Sequence, residues 1–386
     1  MKDVVAERAK RVPPSGIRRF FELVTGIEDV ISLGVGEPDF VTPWHIREAC
    51  VYALEKGYTM YTSNYGLLEL REEIAARLQR DYSLSYDPAT EILVTVGVSE
   101  GFDLAIRALI NPGEEVLIHE PSYVSYKPCT IFAGGEPVVV ETRVEEEFKL
   151  VPEALEEKIG EKTKALVLSY PNNPTGATMS KKELEAIADV VNEHDLVVIS
   201  DEVYDKLTYE GKPCSFASLD GMQERTVLLN GLSKAYAMTG WRIGYAACNS
   251  EVIEAMMKIH QYAMLCAPIT SQMAAIEALR NGEREVREMR RQYNERRKLI
   301  VKRLNEMSLE CFKPKGAFYA FPSIKATSLS SEEFAEKLLK KEKVAVVPGN
   351  AFGVCGEGFL RCSYAASLKD IAEAMDRMER FVKDYL

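Results

Sequence analysis

Lys234 stands in the run NGLSKAYAMTGWRIG over residues 230–244, flanked by small residues just past an apolar, strand-like stretch. A lysine so placed suits a pocket wall. Its amine can condense with a carbonyl to a Schiff base, the aldehyde of pyridoxal 5′-phosphate (PLP) included. Further along the same run, Arg242 offers the planar fork that a phosphate needs. An aldehyde-capturing amine and a phosphate-capturing guanidinium on one short stretch describe a cofactor cradle. Taken alone, Ser233-Lys234 reads as a solvated surface charge; the longer run argues against that.

Other residues able to do chemistry follow apolar stretches in the same way. After 196–200 comes Asp201-Glu-Val-Tyr204. A carboxylate buried against a pyridine ring would keep the ring nitrogen protonated and make the ring an electron sink; the same aspartate could equally cap a helix. Tyr204, placed by the spacing on the same face of a helical turn, could donate to a phenolate oxygen or be a half-buried core tyrosine. After 165–169 comes Tyr170-Pro-Asn-Asn-Pro-Thr-Gly176, a rigid turn in which Asn173 can present its amide to a ligand. It could also be a plain turn. After 92–96, Gly97-Val98-Ser99 opens a helix whose unpaired N–H groups suit a phosphate, or simply a helix capped by Ser99. Tyr123 follows 115–119 and could stack on a planar ring. Arg361 lies in the apolar stretch 359–367 and needs an anionic partner, an internal carboxylate or that of a substrate.

The elements that must position these residues alternate. Strands are predicted at 92–96, 115–119, 137–141, 165–169, 196–200, 226–230 and 242–247, mostly continuous apolar runs and so buried on both faces. Helical patterns such as 99–110 and 181–193 lie between them. This alternation predicts an α/β fold with an open, mainly parallel, helix-covered sheet that binds ligands at the carboxyl ends of its strands. From about residue 250 the pattern changes to a long charged helix over 283–307, a strand at 344–347 and a helix from about 368, a smaller α+β unit. The segment up to Pro43 is punctuated by Pro and Gly, shows no long periodic element, and is expected to pack with the C-terminal part. The expected domains are 44–280, and 1–43 together with 281–386.

Net charge −11 argues against nucleic acid or an anionic membrane as partner. The eight cysteines are scattered and no histidine pair has metal-ligand spacing, which excludes a disulfide scaffold and a zinc site and fits a reducing, cytoplasmic location. No apolar run is long enough to span a membrane, and the N-terminus is charged rather than signal-like.

In order and spacing, these motifs together with Ser15-Gly-Ile-Arg, Leu33-Gly-Val-Gly-Glu-Pro-Asp39 and Tyr61-Thr-Ser-Asn-Tyr-Gly66 resemble the class I/II PLP-dependent aminotransferases of fold type I, the aspartate, aromatic and alanine aminotransferase group. The resemblance covers nearly the whole chain. It implies that Lys234 is the Schiff-base lysine that moves the proton between the substrate Cα and the cofactor C4′. It implies that Asp201 pairs with the pyridinium, that Tyr204 and Asn173 hold the phenolate oxygen, and that the ring lies against Tyr123. Phosphate would be held by Gly97, Val98, Ser99, Ser233 and Arg242, with Tyr61 reaching in from a second subunit of a two-fold homodimer. Arg361 would grip the substrate α-carboxylate, with Asn173, the Gly36 backbone and Ile17 nearby. The family's Asn-Pro bond, here Asn173–Pro174, is commonly cis.

Gly231 replaces a serine that many relatives use on the phosphate. Ser99, and the region of His260-Gln261-Tyr262, lack the cations with which two aspartate-specific branches read a distal carboxylate; Arg18 or Arg19 could substitute. Ile17, Val35, Tyr61 and Tyr123 would line an apolar side-chain pocket. The resemblance therefore implies ping-pong transfer from an L-amino acid (aspartate, aromatic or other mid-sized donor) to a 2-oxo acid, usually 2-oxoglutarate, without strict aspartate specificity. A carbon–sulfur β-lyase on the same fold is the alternative. A non-catalytic regulatory module would need a DNA-binding domain for which the chain has no room.

Overall fold

Aliphatic and β-branched runs become strands where both of their faces can be covered, a condition met at the central predicted positions of the middle region, while the edge strand at 137–141 stays mostly half-buried. The computed structural model describes residues 4–14, 16–17 and 26–386; Ser15, Arg18 and Arg19 lie outside the described residues. After a short N-terminal strand, β1 (Ile31–Ser32), seven strands form the main sheet: β2 (Ile92–Thr95), β3 (Glu115–Glu120), β4 (Glu136–Glu141), β5 (Thr163–Ser169), β6 (Val197–Asp201), β7 (Thr226–Gly231) and β8 (Gly244–Ala247). Their order is β2-β8-β7-β6-β5-β3-β4. From β7 to β4 every pairing is parallel, with registers such as Leu166↔Val198 and Ile199↔Val227, whereas β8 runs antiparallel to both β7 and β2.

Alternate side chains of one strand feed two cores. Ala165, Val167 and Ile199 pack against Phe102 and Ile106 of the helix Gly97–Leu109 and Ile253 of the helix Ser250–Ala263. Leu166, Leu168 and Val198 pack on the other face against Leu184, Ile187 and Val191 of the helix Lys181–Glu193. Each fully buried aliphatic side chain contributes roughly 1.5–3 kcal/mol, and the sheet is covered by such side chains on both faces. Ser180 and Glu183 close a reciprocal capping box at the start of Lys181–Glu193.

The C-terminal region builds a smaller sheet, β11-β12-β9, from β9 (Tyr319–Ala320), β11 (Val347–Pro348) and β12 (Leu360–Ser363), all antiparallel. The single strand expected over 344–347 is instead two. β10 (Val344–Ala345) pairs in parallel with β1, and β11 turns to β12, so one apolar run serves two ladders. The helix Glu283–Glu306 buries Val286, Met289, Tyr293, Arg296, Arg297, Ile300 and Leu304, one stripe at helical spacing. Part of that stripe packs in one core with Ile371, Met375 and Met378 of the helix Leu368–Val382.

The N-terminal segment touches both parts of the chain. Leu33 meets the C-terminal part: its N–H donates to the Ala345 carbonyl and its own carbonyl accepts from the Ser363 N–H. Arg11, however, forms a two-pronged ion pair with Glu136 at the edge of the main sheet. Among the described residues no helix is long and apolar enough to cross a membrane, no metal-binding cluster exists, and all eight cysteines are free.

Candidate active site

A cavity of about 530 Å³ opens at the carboxyl ends of the parallel strands. It gathers Ile17, Gly36, Val98, Ser99, Tyr123, Asn173, Asp201, Tyr204, Ser233, Lys234, Arg242 and Arg361, twelve of the residues singled out by sequence. β8 explains how Lys234 and Arg242 meet: β7 ends at Gly231, the loop carries the lysine, and the antiparallel return begins at Gly244, at the same end of the sheet.

The Lys234 amine donates to the Gly36 carbonyl at 2.7 Å. Burial, then the positive charges of Arg361 and Arg242, bring its pKa down to about 8, with Glu37 and Asp201 acting the other way. A larger share of the amine is therefore neutral, and nucleophilic, than of an ordinary lysine. Asp201, only 7 % exposed, ends β6. One of its oxygens accepts from Tyr126 Oη at 2.8 Å and the other from the Val203 N–H at 3.2 Å. It thus caps the turn after β6 and faces the cavity as well. Burial raises its pKa, so the carboxylate gains from a cation set against it.

At the β2 end, the helix Gly97–Leu109 begins at Gly97, with Val96 as its cap residue and no side-chain cap. Ser99 is therefore not the N-cap; it lies inside the first turn, and Glu100 instead accepts from the Val96 N–H. The first-turn N–H groups stay open to an anion. Gly97 does not line the cavity but lies just behind it. Its φ of +75° and the approach of Arg242 Nη2, 2.5 Å from where a Cβ would stand, leave room for glycine alone.

Arg361, on β12 and 3 % exposed, forms no ion pair among the described residues, so the internal carboxylate that would satisfy it is not there. Its Nη1 donates to Asn173 Oδ1 at 2.9 Å and its Nη2 to the Gly34 carbonyl at 2.6 Å, while Nε has no partner. Burial lowers its pKa. A buried guanidinium without a carboxylate, at a cavity wall, is built for an incoming anion. The Asn173–Pro174 bond is cis, as are Tyr170–Pro171 and Glu120–Pro121.

Tyr61 is not brought to this cavity; it is 80 % exposed. Val35, also expected in the side-chain pocket, is exposed and lines no part of the cavity. His260 is buried and its Nδ1 pairs with Glu100 at 2.8 Å, away from the cavity lining. Sequence reasoning missed Glu37, Phe102, Tyr126 and Tyr319, all lining the cavity. Neither Tyr126 nor Tyr319 carried a local signal, because their partners lie on other elements.

Residues 28–378 match the family model for aminotransferase class I and II. The chain belongs to the class I and II aminotransferases. It is 50% identical to aromatic-amino-acid aminotransferase 2 of Thermococcus litoralis and 51% identical to the aspartate aminotransferase of Pyrococcus abyssi, over 98% of both chains in each case. A solved structure of the aromatic aminotransferase from Pyrococcus horikoshii OT3 superposes with a TM-score of 0.91 at 51% identity, covering 95% of this chain and 99% of that one. The aminotransferase is thus a transferase of PLP fold type I, and the β-lyase alternative is not favoured. Class I and II aminotransferases are PLP enzymes. The donor set fits that group: a low-pKa amine, a buried carboxylate gaining from a cation, and an uncapped helix start beside Arg242.

Proposed function

We propose that this aminotransferase transfers the amino group of an L-amino acid with an aromatic or other mid-sized side chain to a 2-oxo acid, 2-oxoglutarate first, by a ping-pong cycle. The observation that carries the reading is Arg361, buried without a carboxylate partner among the described residues and near enough to Lys234 to depress its pKa. An α-carboxylate on Arg361 would leave the Cα beside the amine that must handle its proton.

PLP, when bound, supplies the electron sink. Asp201 would hold the proton on its ring nitrogen, Tyr204 and Asn173 would donate to its ring oxygen, and Tyr123 would lie against the ring. The first-turn amides of Gly97, Val98 and Ser99, with Ser233 and Arg242, would hold its phosphate. Lys234 would move the proton between the substrate Cα and the cofactor C4′. Gly36 and Ile17 would border the substrate.

The relatives are named for aromatic and for aspartate donors, so likeness does not divide the two. The cavity favours the first: the cations in its described lining are Lys234, Arg242 and Arg361, all assigned above, which leaves none to read a distal carboxylate. The test is a panel of aspartate, alanine, tyrosine, phenylalanine and kynurenine with 2-oxoglutarate. Tyrosine or phenylalanine should match or exceed aspartate in kcat/KM; aspartate leading by a hundredfold, about 2.7 kcal/mol of transition-state preference, would overturn the donor assignment.

We read the working unit as a homodimer in the cytoplasm. Asn64 bonds the Leu265 carbonyl at 2.7 Å, joining two segments that expose Met60, Tyr61, Met264 and Leu265. Such an apolar patch suits a second copy, with Tyr61 completing the phosphate site across the interface. Eight free thiols suit a reducing compartment. We assign cofactor binding to a domain of residues 44–280 and substrate closure to residues 1–43 with 281–386.

A further inference from the structure

Tyr319, like Asn173, touches both the cofactor-facing and the carboxylate-facing halves of the cavity. It lies on β9, in register with Ser363 of β12, the strand that carries Arg361. Its hydroxyl lies 2.7 Å from Tyr204 Oη, on the turn after β6. Its ring lies 4.6 Å from the Arg361 guanidinium, which Phe352 approaches at 4.7 Å. A Cβ on Gly36, whose carbonyl holds the Lys234 amine, would stand 2.6 Å from the same hydroxyl. The charged and titratable groups facing the two phenols are Arg361, Lys234, Asp201 and Tyr123.

Geometry alone leaves either phenol free to donate. Charge decides the sense. Burial raises both, but Tyr204 is pushed well above the ordinary tyrosine range, with Tyr319 and Asp201 adding to the rise. The Arg361 guanidinium lies 4.6 Å from the Tyr319 ring, closer than the 5.7 Å between the Lys234 amine and the Tyr204 ring, so Tyr319 stands nearer a positive charge and is the readier proton donor. Its O–H then satisfies Tyr204 Oη as acceptor, and the Tyr204 proton is left to point into the cavity.

We propose that Tyr319 is a positioning residue: by donating its hydroxyl proton to Tyr204 it fixes the Tyr204 O–H on the cofactor's ring oxygen, and so ties that hydrogen bond to the strand bearing Arg361. This rests on the function proposed above. A fixed donor favours the anionic ring oxygen and lowers the pH midpoint of the bound cofactor's visible absorbance.

Tyr319→Phe keeps the ring beneath Arg361 and deletes only the hydroxyl. The expected result is a midpoint raised by about 0.5–1 pH unit, the size of one hydrogen bond. Affinity for 3-phenylpropionate, a carboxylate without an amine, should stay within about twofold because the cation–π contact survives. Tyr319→Leu removes the ring too and should weaken that affinity about fivefold or more. In a Tyr204→Phe background, Tyr319→Phe should add no further shift, since its target is gone. An unmoved midpoint in Tyr319→Phe, or an equal shift in both backgrounds, overturns the proposal. A merely structural tyrosine would instead lower thermal stability and carboxylate affinity together. If the wild-type protein reconstituted with PLP shows no pH-dependent visible band, the functional reading itself fails, which is a separate outcome.

Discussion

Lys234 is held between two requirements, charge enough to stay in a polar cavity and neutrality enough to attack an aldehyde. Its pKa of about 8 comes from burial first and from Arg361 second. Below that pH the amine is protonated and inert; above it the nucleophile is present. The rate at which apoprotein captures PLP should therefore rise with pH to a plateau with a midpoint near 8, followed by visible absorbance, where an ordinary lysine would still be rising beyond pH 9. Lys234→Ala should remove that absorbance and lower turnover by at least about a thousandfold, as loss of a proton-transferring group does. Arg361→Lys keeps the charge but not the fork, and should reduce kcat/KM by roughly ten- to a hundredfold, about the 1.5–3 kcal/mol of charge-assisted hydrogen bonding at stake. At this scale the sequence showed residue types and their order but not their partners. Nothing local distinguishes an arginine with an internal carboxylate from Arg361, whose bonds go to Asn173 and Gly34, each far away in the chain. Tyr126 was missed for the same reason, since its hydroxyl meets Asp201 from another element.

Strands were more legible than side-chain partners because their causes are local. Continuous apolar runs located all seven strands of the main sheet within a residue or two. Ser180 with Glu183, and Ser330 with Glu333, place two helix starts. Ser180→Ala should lower stability by about 1 kcal/mol in urea unfolding without changing the cofactor's absorbance. The direction of β8 and the splitting of 344–348 between two ladders were not legible, because pairing partners are set by packing across the chain. The turn after β6 adds a pH signature. Glu202 is buried, its Oε1 accepting from Ser200, Ser215 and the Phe216 N–H, and burial lifts its pKa to about 7. From its ordinary 4.5 up to about 7 the folded chain holds this proton and the unfolded chain does not, so its contribution to stability falls as pH rises through that window and the penalty is complete above it. Thermal unfolding should show wild type losing more stability between pH 5 and 8 than Glu202→Gln; parallel losses would place the acidic group elsewhere.

The whole molecule divides between a seven-stranded sheet, at whose strand ends Lys234, Asp201 and Arg242 meet, and the smaller sheet that presents Arg361 and Tyr319. If Tyr61 serves a neighbouring copy, mixing Lys234→Ala protein with Tyr61→Ala protein should regenerate activity, because each hybrid dimer holds one site with both residues intact. No recovery after verified subunit exchange would place Tyr61 outside the site. Residues 33–36 thread between the two sheets. Leu33 is stitched to Ala345 and Ser363, Gly34 accepts from Arg361, and the Gly36 carbonyl is moored by the Lys234 amine. An aldehyde that claimed the amine would release this one tether, leaving the Thr239–Glu37 and Thr42–Ala237 hydrogen bonds to hold the segment to the loop after β7. Loading the enzyme with its vitamin-derived partner would thus trade one backbone anchor for a covalent one without cutting the segment loose.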